Sequence, residues 1–148
     1  MKLRSFDIQS DITVNASVES VWTVFTDAAR WPEWSMVCTE VWGDLDRLWA
    51  TGMHLGLRLR MAGRSVPFSV EIVESDPPHS VGWSSTKFNV TAKRRFTFTP
   101  VGTGTRITDR KEFSSNVLPV GLWYPRSVIR TMTEQWLEDL KTEAERGR

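Results

Sequence analysis

Between positions 6 and 14 apolar and polar residues alternate: Phe6, Ile8, Ile12 and Val14 share one face, and Asp7, Gln9, Asp11 and Thr13 share the other. That period of two marks a half-buried strand. The period then lengthens. Ser17 is placed to cap a helix carrying Val18, Val21, Trp22 and Phe25 at spacings of three and four, ending near Asp27, and a second short helix or turn follows over residues 28–34. After Met36 the period returns to two, interrupted at Gly43-Asp44, Ala62-Gly63, Asp76-Pro77-Pro78 and Val101-Gly102-Thr103-Gly104. Met53, Leu55, Leu57, Leu59 and Met61 form one apolar face, and Val66, Phe68, Val70 and Ile72 form another. Val81 and Trp83 open a further strand, and residues 88–100 and 105–113 form a hairpin about the glycine-containing turn. Val128, Ile129, Met132, Trp136, Leu140 and Ala144 then recur at helical spacing among charged residues.

Strands joined by short turns must be antiparallel, so the order strand, two short helices, six strands and one long helix specifies an α+β fold. The expected architecture is a curved seven-stranded antiparallel sheet wrapped around a long C-terminal helix, with the two short helices between strands one and two. With no repeat, linker or low-complexity tract, residues 1–148 read as a single domain. A sheet this curved, closed by one helix, does not readily fill its concave face and tends to leave a ligand cavity.

The hairpin permits a finer reading. If Pro100 opposes Thr105, then Phe98 faces Ile107, Phe96 faces Asp109 and Arg94 faces Lys111. Phe88, Val90, Ala92, Phe96 and Phe98 define the inward face by alternation, so Arg94 points inward with them, as do Asp109 and Lys111. A buried guanidinium requires a partner, and Asp109 is a diagonal neighbour within its reach. Arg94, Asp109 and Lys111 are therefore candidates to hold the polar end of a ligand. The competing readings are a structural ion pair at the open end of the sheet, or a β-bulge that returns these residues to solvent.

Composition narrows the partners. Lys plus Arg number 19 against 18 Asp plus Glu, for a net charge of +1, so no basic field favours nucleic acid. Lys93-Arg94-Arg95 divides between two faces and makes a poor nucleic-acid patch. The first residues lack the apolar segment of a secretory signal, and nothing approaches the roughly 18 apolar residues of a membrane span, so a cytoplasmic protein without integral membrane association is expected. The single Cys38 and the two histidines, His54 and His79, offer no metal-ligand spacing; both histidines are expected at the surface. Neither a nucleophile elbow nor a phosphate loop is present, and no cofactor is expected. The chain carries eight tryptophans, enough to fill a core and also to line a pocket. Residues 116–125 are unusually apolar for a loop. They form either a packed connector or a gate at which Trp123 and Tyr124 meet an incoming ligand, and exposed apolar surface there can equally serve a homodimer contact.

The stretch Ile12-Thr13-Val14-Asn15-Ala16-Ser17-Val18-Glu19-Ser20-Val21-Trp22, followed by Trp31-Pro32-Glu33-Trp34, resembles the START and birch-pollen-allergen (SRPBCC) superfamily, especially its bacterial polyketide cyclase/dehydrase-like and lipid-transport branch. So do residues 96–108 and Glu134-Gln135-Trp136-Leu137-Glu138-Asp139-Leu140-Lys141, which extends the resemblance over essentially the whole chain. The resemblance implies a helix-grip fold with a deep apolar cavity between sheet and long helix. Members bind lipids, polyketides, isoprenoids or plant hormones, a minority catalyse cyclisation or dehydration, and no universal catalytic residue is shared. Three functions follow in order of preference. The first is binding of a hydrophobic small molecule in a cavity lined by residues such as Leu57, Phe68, Trp83, Phe98 and Met132, with Arg94 as anchor. The second is a cyclase or dehydratase in which Asp109 is the general base and Arg94 stabilises an enolate. The third is a protein-interaction role through the apolar connector.

Overall fold

The computed structural model describes residues 4–45, 49–119 and 125–146. Strand β1 (Ser5–Val14) leads into helix α1 (Val18–Thr26), a 3-10 turn (Ala28–Arg30) and helix α2 (Trp31–Trp34). Strands β2 (Cys38–Gly43), β3 (His54–Met61), β4 (Arg64–Asp76), β5 (Ser80–Lys87), β6 (Val90–Val101) and β7 (Gly104–Ser114) follow, and helix α3 (Arg126–Arg146) ends the chain. The strands form one seven-stranded sheet in the order β1-β7-β6-β5-β4-β3-β2, every pair antiparallel. This is the α+β architecture that the sequence pattern specifies.

Local chemistry sets the helix ends. Ser17 adopts an extended backbone and its hydroxyl accepts from the Ser20 amide at 3.1 Å, capping α1. At the other end the last carbonyls of a helix have no partner within it. Two indoles supply partners here: Trp31 Nε1 donates to Phe25 O at 2.8 Å and Trp49 Nε1 donates to Thr26 O at 2.9 Å. The same two rings pack on Phe25, so satisfying the helix end and filling the core are one event.

The β6–β7 turn sets the register around which the site is built. Gly102 has φ of +60° at the first central position of a two-residue turn, the place glycine occupies in a type II′ hairpin. Counting outward, Pro100 opposes Thr105, Phe98 opposes Ile107, Phe96 opposes Asp109 and Arg94 opposes Lys111.

The interior has two parts. Phe25, Trp31, Trp49, Trp83, Phe96, Phe98 and Trp136 form an aromatic core beneath α1, α2 and the C-terminal half of α3. Phe6, Ile8, Val90, Phe113 and Ile129 form a second cluster under the N-terminal half of α3. The C-terminal half of α3 is tied on both sides. Glu145 accepts from the Asn15 amide, Lys141 donates to Thr13 O, and Asp139 accepts from the Met36 amide.

Two details depart from the sequence pattern. Phe88 lies in the β5–β6 turn with φ of +54° and is 80% exposed, because β6 begins only at Val90. The buried face of α3 contains Thr133 and Leu137 beside Ile129, Trp136, Leu140 and Ala144, while Val128 is only half-buried.

Candidate functional site

Between the two apolar clusters the sheet and α3 leave a cavity. Its walls come from β3 (Leu57, Leu59, Met61), β4 (Phe68, Val70), β5 (Trp83, Ser85, Lys87), β6 (Val90, Ala92, Lys93, Arg94), β7 (Lys111, Phe113) and α3 (Ile129, Met132). Its volume is about 90 Å³, counted as space open to the centre of a water-sized sphere. At about 30 Å³ for each water in the liquid, that is room for a few waters.

The inner boundary of this space is polar. Arg94 Nε and Nη2 donate to the two Asp109 carboxylate oxygens at 3.0 and 2.6 Å, with side-chain exposures of 11% and 0%. Such a bidentate bond both satisfies and orients the two groups. The guanidinium carbon also lies 4.5 Å from the Phe96 ring centre, 5.4 Å from that of Trp136 and 5.7 Å from that of Trp83. Cation–π contacts on desolvated rings contribute about 2 kcal/mol or more. Arg94 thus sits where the aromatic core ends and the cavity begins. Its bonds to Asp109 use one N–H each of Nε and Nη2, so its further donors are the N–H groups of Nη1 and the second one of Nη2.

Lys111, on β7, is paired directly with Arg94 of β6 on one side and Ile8 of β1 on the other. Its Nζ donates to Thr133 Oγ1, and that hydroxyl donates to Ile129 O at 2.8 Å. Among the described residues no carboxylate is in ion-pair contact with Lys111. Burial, reinforced by the Arg94 guanidinium and opposed by the Asp109 carboxylate, pushes the Lys111 ammonium down to about 7. The neutral amine is therefore far more accessible near neutral pH than that of a solvated lysine.

Of the residues read from sequence, Leu57, Phe68, Trp83, Arg94, Lys111 and Met132 line the cavity. Two do not. Phe98 belongs to the aromatic core against Trp22 and Phe25, because α1 covers that end of the sheet. Asp109 is fully buried behind Arg94 with both oxygens engaged, so it is not placed to take a proton from a ligand in this geometry. Trp123 and Tyr124 lie outside the described residues. His54 and His79 are both exposed. Three features of the site were not singled out from the sequence: Thr133 as the partner of Lys111, Ile129 as a wall residue, and Lys87 at the outer end of β5. Ser85 and Lys87 continue the inward series from Trp83, and that spacing was the available signal.

No match was found among curated proteins. Solved structures do resemble the chain. An aromatase/cyclase, Zhui, from Streptomyces sp. R1128 superposes with a TM-score of 0.79 at 16% identity, covering 96% of this chain and 94% of that one. The di-domain aromatase/cyclase BexL from the BE-7585A biosynthetic pathway gives 0.76 at 20% identity, covering 95% of this chain and 50% of that one. Ginseng major latex-like protein 151 from Panax ginseng gives 0.79 at 11% identity, covering 95% and 97%. Likeness at these identities carries the fold and leaves activity open. The model of the family described as polyketide cyclase / dehydrase and lipid transport matches residues 5–145, so with the sheet, the gripping helix and the apolar cavity in place, the chain belongs to that family.

Proposed function

We propose that this protein binds a small hydrophobic molecule with one oxygen-bearing end, inserted so that its apolar part lies against β3–β5 and its oxygen meets Lys111 and Arg94. One observation carries this reading. The cavity walls are largely apolar, and the buried Lys111 amine, hydrogen-bonded only to a neutral hydroxyl among the described residues, opens onto them. Arg94 and Asp109 offset each other's charge, so at the inner end of the cavity the protonated Lys111 is the cation with no carboxylate partner among the described residues. An oxygen that accepts a hydrogen bond satisfies that charge, and a purely hydrocarbon ligand does not. The available volume favours a compact ligand, or the end of a longer one. Because the interior is not filled, it gives no support to a role confined to protein interaction through the connector.

The test is tryptophan fluorescence, since Trp83 lines the cavity and stands 6.1 Å from both Trp31 and Trp49. Titration with hexanoic acid, phenol, hexanal and hexane should give saturable changes for the first three. Lys111→Met should weaken binding of the acid at least tenfold, because a buried charge-assisted hydrogen bond is worth about 1.5–3 kcal/mol. An absence of saturation with every oxygen-bearing compound would overturn the reading.

A further inference from the structure

We propose that Lys111 is a carbonyl-reactive amine that condenses with an aldehyde or ketone group at the inner end of the bound molecule, so that the cavity selects compact carbonyl compounds. This rests on the binding reading above and narrows it to a chemical class.

An amine adds to a carbonyl only when it is neutral, within reach and not committed elsewhere. Lys111 meets all three conditions. Its side chain forms part of the cavity wall, so a ligand in the cavity is adjacent to it. Thr133 has given its own proton to Ile129 O, so it accepts one N–H from Lys111 and leaves the nitrogen lone pair uncommitted. The groups packed around the amine favour the neutral form. Arg94 on β6 is the cation facing it, Asp109 on β7 is held by that same arginine, and β1 and α3 offer Ile8, Ile129 and Thr133. A lysine desolvated beside a second cation is the arrangement in which an amine becomes a nucleophile near neutral pH. Burial pushes this one down to about 7, whereas an ordinary lysine near 10.4 is neutral in roughly one molecule in a few thousand at that pH.

The chemistry balances without a further reactant. The Nζ lone pair forms a bond to the carbonyl carbon, and the π pair moves to oxygen, which takes a proton released from nitrogen. The resulting carbinolamine loses its hydroxyl together with the remaining N–H proton as water. Lysine amine plus carbonyl compound thus becomes imine plus water, with no change in oxidation level. The cationic Arg94 beside this centre favours negative charge developing on the departing oxygen.

The experiment uses the full chain at pH 7 with hexanal and sodium cyanoborohydride, read by intact mass and peptide mapping. The expected result is a single principal adduct, a hexyl group replacing one hydrogen, located at Lys111. The other lysines, Lys2, Lys87, Lys93 and Lys141, should be labelled at least a hundredfold more slowly, and the terminal amine serves as an internal reference. Lys111→Met should lose the principal adduct while the reference amine still reacts, and circular dichroism will verify that the variant is folded. Saturable hexanal binding by fluorescence with no adduct at Lys111 overturns this inference and leaves the binding reading standing. Neither binding nor adduct overturns both, and uniform labelling of all lysines overturns the inference alone.

Discussion

Asp109→Asn and Arg94→Met remove opposite halves of one buried pair, and the structure predicts unequal costs. Replacing the carboxylate by a neutral amide leaves the Arg94 guanidinium, 11% exposed, with no opposite charge in contact among the described residues and with ring faces and a second cation, Lys111, near it. Breaking a buried pair from one side typically costs about 3–5 kcal/mol. The ring contacts are already present in the wild type, so they add nothing that compensates. Deleting the arginine instead leaves Asp109 with Lys111, two residues along the same inward face of β7, and the two already attract each other. The ammonium can take over the neutralising role, so Arg94→Met should cost less, about 1–3 kcal/mol. The double variant Arg94→Met/Asp109→Leu should lie within about 1 kcal/mol of wild type, because matched apolar groups leave no orphaned charge. Urea denaturation of the three variants measures this, with unchanged m-values establishing that the denatured states compare. Arg94→Met costing more than Asp109→Asn, or Asp109→Asn costing under about 1 kcal/mol, would refute the argument that Lys111 shares this electrostatic unit.

Three further outcomes are expected. Lys111 is about 7 when folded against 10.5 in the open chain, so the unfolded state binds the extra proton between those values and wild-type stability rises with pH across that window. The stability of Lys111→Met relative to wild type should therefore be greatest at and below about pH 7 and shrink by about 1.4 kcal/mol per unit towards pH 10, and a flat difference across that window would contradict it. A Cβ at Gly104 would sit 2.6 Å from Val14 O, whereas one at Gly102 meets nothing within 4 Å and is opposed only by its φ of +60°. Gly104→Ala should accordingly cost about 2 kcal/mol or more in urea denaturation and Gly102→Ala about 1, and the reverse order would count against the close β1–β7 approach. Cys38 is fully buried and donates to Glu40 O, and burial pushes its thiol up to about 11. Iodoacetamide at pH 8 should label it at least a hundredfold faster in denaturant than in native buffer, and comparable rates would show that the β2 edge opens readily.

The register of the β6–β7 hairpin was readable because a turn of two residues permits a single pairing, and period-two alternation then sends Arg94 and Lys111 to one face. Alternation assigns a face without assigning a depth. Phe98 and Arg94 face the same way, yet α1 packs over the first and the cavity opens beside the second, a difference set by where helices dock many residues away. Thr133 looks like a surface position on a helix. It is buried because its hydroxyl bonds within the helix to Ile129 O and also accepts from Lys111, a pairing between residues 22 apart. Asp109 reads as a chemical group in the sequence, and only the paired geometry shows that its two oxygens are occupied. Phe88 continues the alternation on paper, but the β5–β6 turn reverses the chain before it can join the strand.

The polar residues solve a packing problem as well as a chemical one. An aromatic core that continued to the end of the sheet would consume the volume a ligand needs, so the core must stop against something rigid. The Arg94–Asp109 pair provides that boundary: the bidentate bond fixes the guanidinium, three rings hold it from the core side, and its cavity side stays open to the space lined by Leu57, Phe68 and Met132. The cost of burying this pair does not recur when a ligand arrives, because neither residue has to give up a partner. Lys111 stands differently. Among the described residues its one bond is to a neutral hydroxyl, and its charge is opposed by burial and by Arg94, so it is the group whose state a ligand oxygen or carbonyl can most readily change. One arginine thus marks where the core ends and tunes the amine beside it, which is why the inner end of a largely apolar wall needs so few polar residues.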